Sequence, residues 1–174
     1  MAGDTDATMS AEIRFVRALH YFLLMDGWGN IPFTLEPMTK PEQRSRAQMY
    51  EWLEQELIGI EPALSEAKAK KSTDAGYGRV DKAACWLLLS RLYLNSEIYT
   101  GTAQWQKAKE YADKVIKSSY RLNTVGKGGW TAYQMLFMGD NGETDAAYEA
   151  LLLTSRRFDN HQLGYFPVLD SWLL

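Results

Sequence analysis

A single cysteine, two histidines and no excess of positive charge mark this chain of 174 residues, and each scarcity excludes something. Cys85 has no second thiol to bond with, so no internal disulfide holds the fold. It falls inside an apolar helical run and reads as a small buried hydrophobe, the usual fate of a free cysteine. His20 and His161 lie far apart, and neither stands at metal-ligand spacing from another His or Cys. His20, beside Tyr21 and Phe22, reads as a packed, hydrogen-bonded core histidine. Lys and Arg total 19 against 22 Asp and Glu, a net charge of −3. Nucleic-acid binding wants a basic surface that displaces counterions, so that class is set aside.

Long apolar runs are missing as well: none approaches the ~20 residues that span a bilayer as a helix. Met1 to Ser10 is small, polar and acidic, without the basic start and apolar centre of a secretory signal. On these grounds the chain reads as cytoplasmic, or as cut from a longer exported precursor, with the first favoured. Catalytic signatures are equally thin. No nucleophile elbow, phosphate loop or dinucleotide fingerprint occurs. Gly126-Lys127-Gly128-Gly129 has the composition of a phosphate cradle, but no apolar strand precedes it, so it reads as a turn. Acid pairs such as Asp140 with Glu143 or Asp145 are what 22 acids offer by chance. The chain is therefore read as a non-enzyme with neither metal nor cofactor.

What is present is apolar bulk. Hydrophobic content of 46% and aromatic content of 13% exclude disorder, and the length suits a single domain, residues 1–174. The chain is organised around the stretch from Tyr77 to Ser118. Asp81 stands where an N-cap belongs. From Ala83 to Leu94 the side chains are apolar almost all round, including Trp86, Leu88, Leu89 and Leu92, which predicts an enclosed central helix. Asn95 to Gly101 breaks the pattern and Thr102 is placed to cap the next helix. There Trp105, Ala108, Tyr111, Ala112 and Val115 recur at helical spacing, predicting a buried stripe. Ala108 and Ala112 admit a close backbone, with Trp86 and Leu88 opposite. Small-against-large packing of this kind suits stacked antiparallel helix hairpins of the tetratricopeptide type.

Upstream, Ser10 caps a first helix running to about Asp26. Its predicted core stripe is Ile13, Val16, Leu19 or His20, and Leu23, widened by Phe15, Ala18 and Phe22. Gly27 to Pro32 ends that helix, and Phe33 to Pro41 reads as an extended linker. Ser45 with Gln48 is a capping box for a helix carrying Met49, Leu53, Leu57, Ile60 and Leu64. Ala67 to Ala75 is small, lysine-rich and reads as mobile. Downstream, Thr131 starts a short helix with Tyr133, Leu136 and Phe137. Gly139 to Gly142 is a turn, and Ala150 to Thr154 reads as a strand with no evident partner. The expected fold is thus mainly α, with antiparallel helix pairs, long irregular loops and little or no strand.

Aromatics outside the helices complete the inventory: Trp28, Tyr77, Tyr99, Trp130, Tyr165, Phe166 and Trp172. Trp28, Tyr99 and Trp130 are read as plugs of helix ends against the core. Tyr165 and Trp172 lie beyond the last regular element, near Arg156, Asp159 and Asn160, and suit stacking on a sugar ring as well as packing.

Several blocks resemble one family. Ala11 to Leu19 followed by Gly29-Asn30-Ile31-Pro32, then Tyr77 to Ala84, Leu92 to Asn95 and Tyr99 to Trp105, look like successive signatures of SusD/RagB proteins. Leu136-Phe137, Gly139-Asp140-Asn141 and the run Ala150 to Leu153 fit the next part of that family's sequence. The matches span about Ala11 to Thr154 in order. The resemblance implies a surface-exposed outer-membrane lipoprotein of Bacteroidetes-type bacteria. Such a protein binds oligosaccharide without transforming it and passes it to a SusC-like TonB-dependent transporter. It also implies that this chain covers the middle of a longer protein, truncated at both ends. By position, Tyr165, Phe166 and Trp172 would supply the sugar platform, with Arg156, Asp159, Asn160 and His161 as polar contacts. The alternative function is a helix-repeat scaffold for protein partners, without a ligand site of its own.

Overall fold

The computed structural model describes residues 2–70, 73–122 and 124–135. Helix α1 (Ala2–Trp28) leads into a short antiparallel hairpin, β1 (Ile31–Phe33) with β2 (Glu42–Arg44). Helix α2 (Arg46–Ile60) continues into a 3-10 turn at Glu61–Ala63. Then come α3 (Lys82–Leu94), the single turn α4 (Ser96–Thr100), α5 (Trp105–Ile116) and the short α6 (Ala132–Met135). The fold is mainly helical, as expected.

Helix α1 buries a narrow seam, Ala11, Phe15, Ala18, Phe22 and Met25, at alternating spacings of four and three. This corrects the expected stripe: Ile13 is 65% exposed, and Val16 and His20 also face solvent. The reason lies on α2. Both oxygens of Glu56 are held by α1, Arg14 Nε and Nη2 donating at 2.9 and 2.6 Å and Arg17 Nη2 at 2.8 Å. Those bonds fix the rotation of α1, with the alanines of the seam admitting the partner helix. The helix also starts before Ser10, which is an interior residue and not a cap.

Gly29, in the left-handed region at φ 78°, closes α1 by donating its N–H to the Met25 carbonyl. The stretch read as a linker is instead the loop of the hairpin, whose register pairs Ile31 with Arg44 and Phe33 with Glu42. Strands of three residues carry too little alternation to announce themselves. Burial of Ile31 and Phe33, with the Phe33 ring 5.0 Å from Tyr21 on α1 and 4.8 Å from Trp52 on α2, holds the hairpin to the helices, while Arg44 lies 3.8 Å over the Phe33 ring between the two strands.

The capping box of α2 is present in both directions: Ser45 Oγ accepts the Gln48 N–H, and Gln48 Oε1 accepts the Ser45 N–H. Met49, Leu53, Leu57, Ile60 and Leu64 are all buried, as their spacing requires. Within the segment read as mobile, Ala69 is buried and its N–H donates to Ser119 Oγ at 2.7 Å. Residues 71 and 72 fall outside the described set.

Asp81 caps α3 as expected, its Oδ1 accepting the Ala83 and Ala84 N–H groups. Leu88 and Ala108 are buried where α3 meets α5, and Ser90 Oγ donates to the Ala108 carbonyl. The helix is not enclosed all round: Trp86 and Leu87 are half-buried and Leu94 is exposed. Two further readings need correction at α5. Trp105 is 62% exposed, because as first residue of its helix it projects a turn short of the Ala108 contact. Thr102 is no cap; Gln104 takes the cap position, and the Thr102 carbonyl accepts the Ser96 and Thr100 hydroxyls that close α4.

Candidate functional site

Three bridges tie α2 and the turn that follows it to α5 and its cap, two of them also holding a side chain of α3. Gln104 Nε2 donates to Tyr50 Oη at 2.8 Å. Glu54 Oε1 accepts both the Tyr93 hydroxyl and Lys107 Nζ, at 2.8 and 3.0 Å. Glu61 Oε1 accepts Trp86 Nε1 and Lys114 Nζ, at 2.6 and 3.2 Å. Numbers rise together on α2 and α5 and fall on α3, so α2 and α5 run parallel with α3 antiparallel between them. This is the geometry of stacked helix hairpins. The lysines also lie over rings, Lys107 over Tyr93 and Lys114 over Tyr111 and Trp86. Burial, and after it the hydrogen bond to Glu54 for Tyr93 and the Glu54 charge for Tyr50, pushes both hydroxyls well above the ordinary phenol range. Tyr93 is buried, Trp86 and Tyr111 are half-buried, and the polar groups are partnered with one another, so the face is internally braced.

The C-terminal end of α1 is different. Tyr99 is buried and its hydroxyl donates to Asp26 Oδ1 at 2.6 Å. Arg46 reaches the last carbonyls of the helix, Nε to Met25 O and Nη2 to Asp26 O, while its own N–H donates to Asn30 Oδ1. A cation at a helix C-terminus complements the dipole there. Trp28, one residue before the turn, stays 72% exposed.

The residues expected to bind sugar, Tyr165, Phe166, Trp172, Arg156, Asp159, Asn160 and His161, lie outside the described residues. So do the acid pairs at Asp140, Glu143 and Asp145, the run Ala150 to Thr154, and Leu136 and Phe137. Of the loop aromatics, Tyr99 packs as expected, whereas Trp28 and Trp130 are exposed. The signal that separates them is polar: Tyr99 has Asp26 within reach, and an indole at the very end of a helix has nothing beyond it to cover. His20 is not a core residue. It is exposed, with Nδ1 2.7 Å from the Val16 carbonyl one turn back. Cys85 is fully buried, and burial pushes its thiol up to about 12. Gly126 to Trp130 is a turn, with Lys127 and Trp130 exchanging backbone bonds around Gly128 and Gly129, both at positive φ. Among the described residues no group of His, Cys, Asp and Glu is arranged to hold a metal ion. No helix among them is long and apolar enough to cross a membrane.

No protein-family model matches the chain. Over 159 residues it is 41% identical to the starch-binding protein SusD of Bacteroides thetaiotaomicron, an alignment covering 89% of this chain and 27% of that protein. The fold is similar to surface glycan-binding protein A of Bacteroides uniformis, with TM-score 0.58 and 29% identity over 70% of this chain and 27% of that one. It is also similar to a SusD-like carbohydrate-binding protein of Bacteroides fragilis, with TM-score 0.59 over 70% of this chain and 23% of that one. That second structural likeness, at 22% identity, speaks for the fold alone. The chain thus spans about a quarter of the length of these relatives. The 41% identical relative and the fold shared with SusD-like structures together support placing this chain with the SusD/RagB family, as a match to about a quarter of such a protein's length.

Proposed function

We propose that this chain is the helical scaffold of a non-enzymatic glycan-binding protein at the bacterial outer membrane. It holds oligosaccharide at the cell surface and hands it to a SusC-like TonB-dependent transporter. The observation that carries this reading is the 41% identity, over most of the chain, with a protein named for binding starch. The braced α2–α3–α5 face agrees with it, since rings and charges already satisfied by one another suit a rigid support. The same bracing speaks against the alternative of a peptide-receiving scaffold, because a peptide laid between α2 and α5 would have to break these bonds. In this reading Tyr165, Phe166 and Trp172 offer ring faces to the sugar, while Arg156, Asp159, Asn160 and His161 bond its hydroxyls.

Calorimetry against a panel of neutral oligosaccharides, with Trp172→Ala beside the wild type, tests the proposal. Binding of one glycan, weakened in the variant and without release of reducing ends, is the expected result. Undiminished affinity in Trp172→Ala removes that ring from the site. Sustained turnover of the bound sugar overturns the non-enzymatic reading.

A further inference from the structure

We infer that the outward face of α1 is a packing surface, covered by a second amphipathic helix from another part of the same polypeptide. The inference rests on the reading above, in which this chain is the scaffold part of a longer protein, and it is independent of the sugar bound. Met9, Ile13, Val16 and Leu24 are 39 to 65% exposed, and His20 among them also faces solvent. With about 100° of turn per residue, these positions fall within an arc of about 80°. That arc lies opposite the buried seam of Ala11, Phe15, Ala18, Phe22 and Met25.

Charge separates this face from an ordinary wet one. From Ala7 to Met25 no exposed residue is Asp, Glu, Lys or Arg, whereas α5 turns Lys107, Lys109, Glu110 and Lys114 outward. The charged residues of that stretch of α1 are held at its flanks, Glu12 by Arg79, and Arg14 and Arg17 by Glu56. His20, the one ring on the face, is turned back along the helix with Nδ1 2.7 Å from the Val16 carbonyl. A helix apolar on two opposite sides is built to lie between two neighbours, and α2 is one of them.

The shape of the other follows from the spacing. From Met9 to His20 the outward positions step by four, three and four, as the buried ones do from Ala11 to Phe22, and such a row receives the side chains of a helix lying alongside. Its source follows from area. From Met9 to Leu24 the face is about 22 Å long and about 10 Å wide, roughly 220 Å². A separate partner or a second copy needs about 800 Å² a side for a stable interface, and it gives up translational and rotational freedom besides. A helix already tethered in the same polypeptide does not lose that freedom again, so a small apolar face holds it. The alignment with SusD covers 27% of that protein, which leaves most of such a length to supply the helix.

The test follows maleimide labelling of Ile13→Cys in the 174-residue chain and in the whole polypeptide that the gene encodes, each rate taken relative to the same protein in urea. Cys85 is fully buried and does not compete in the folded forms. In the 174-residue chain the label is expected within about tenfold of the unfolded rate, and in the whole polypeptide about a hundredfold more slowly than that. Ile13→Glu should leave the urea midpoint of the 174-residue chain unchanged and lower that of the whole polypeptide. Equal labelling in the two proteins overturns this inference and leaves the glycan-binding reading standing. Light scattering that shows the 174-residue chain to be a dimer, with Ile13→Cys protected in it, overturns the inference in favour of a second copy. A gene that encodes these residues alone overturns both this inference and the reading of the chain as part of a longer protein.

Discussion

Replacing Asp81 by alanine removes one small side chain and breaks four hydrogen bonds. Its Oδ1 accepts the Ala83 and Ala84 N–H groups at the start of α3. Its Oδ2 accepts the Lys68 N–H at 3.2 Å and the Tyr120 hydroxyl at 2.9 Å. The residue is 3% exposed, so water does not replace what is lost. Loss of an N-cap costs about 1 kcal/mol. A buried donor left unpaired adds about 1–3 kcal/mol, and the half-buried Tyr120 hydroxyl and the Lys68 amide each stand at the lower end of that range. Asp81→Ala is therefore expected to lose about 3–5 kcal/mol, a large share of the ~5–15 kcal/mol that holds a domain together. Urea unfolding followed by circular dichroism reads this as a lower midpoint at unchanged slope. Tyr120→Phe, which removes one donor and nothing else, is expected to lose about 1 kcal/mol. Asp81→Asn keeps an acceptor for α3 but turns an N–H₂ group toward the Lys68 amide, so it should fall between the two. A stability for Asp81→Ala within about 1 kcal/mol of wild type would refute the view that this carboxylate ties the loops at Lys68 and Tyr120 to the head of the central helix.

Three further outcomes rest on the packing. Phe22→Ala, at a fully buried position of α1, is expected to destabilise by about 3–5 kcal/mol, whereas Ile13→Ala on its exposed side should stay within about 0.5 kcal/mol in the same urea assay; the reverse order would mean that α1 is rotated. Hydrogen bonding from Arg14 holds the Glu56 carboxyl below its ordinary value of 4.5, so its stabilising contribution is present above that pH and is lost as pH falls through the lowered folded value. Glu56→Gln should accordingly be less stable than wild type at pH 7, with the difference shrinking on acidification below about 4.5. Cys85, with its thiol at about 12 and buried, should resist a thiol-specific disulfide reagent at pH 8 in the folded chain and react fully in urea, so rapid labelling of the native form would contradict its burial.

Features that depend on neighbours in sequence are legible in the residues. The Ser45–Gln48 capping box, the Asp81 cap and the four-and-three spacing from Met49 to Leu64 each involve groups within one or two turns, and each is present. The rotation of α1 is not legible, because that helix carries two apolar stripes. Ile13 and Val16 are as hydrophobic as Phe15 and Phe22, and local pattern gives no ground for choosing between them. The choice is made 39 to 42 residues away, where Glu56 takes hold of Arg14 and Arg17. The same logic separates Tyr99 from Trp28. Local pattern makes both of them plugs for helix ends, and both stand beside turns. Tyr99 is drawn inward because its hydroxyl meets Asp26, 73 residues earlier, under the Arg46 side chain. Trp28 has an indole and no such partner among the described residues, and the helix end is closed by Arg46 and Gly29 instead.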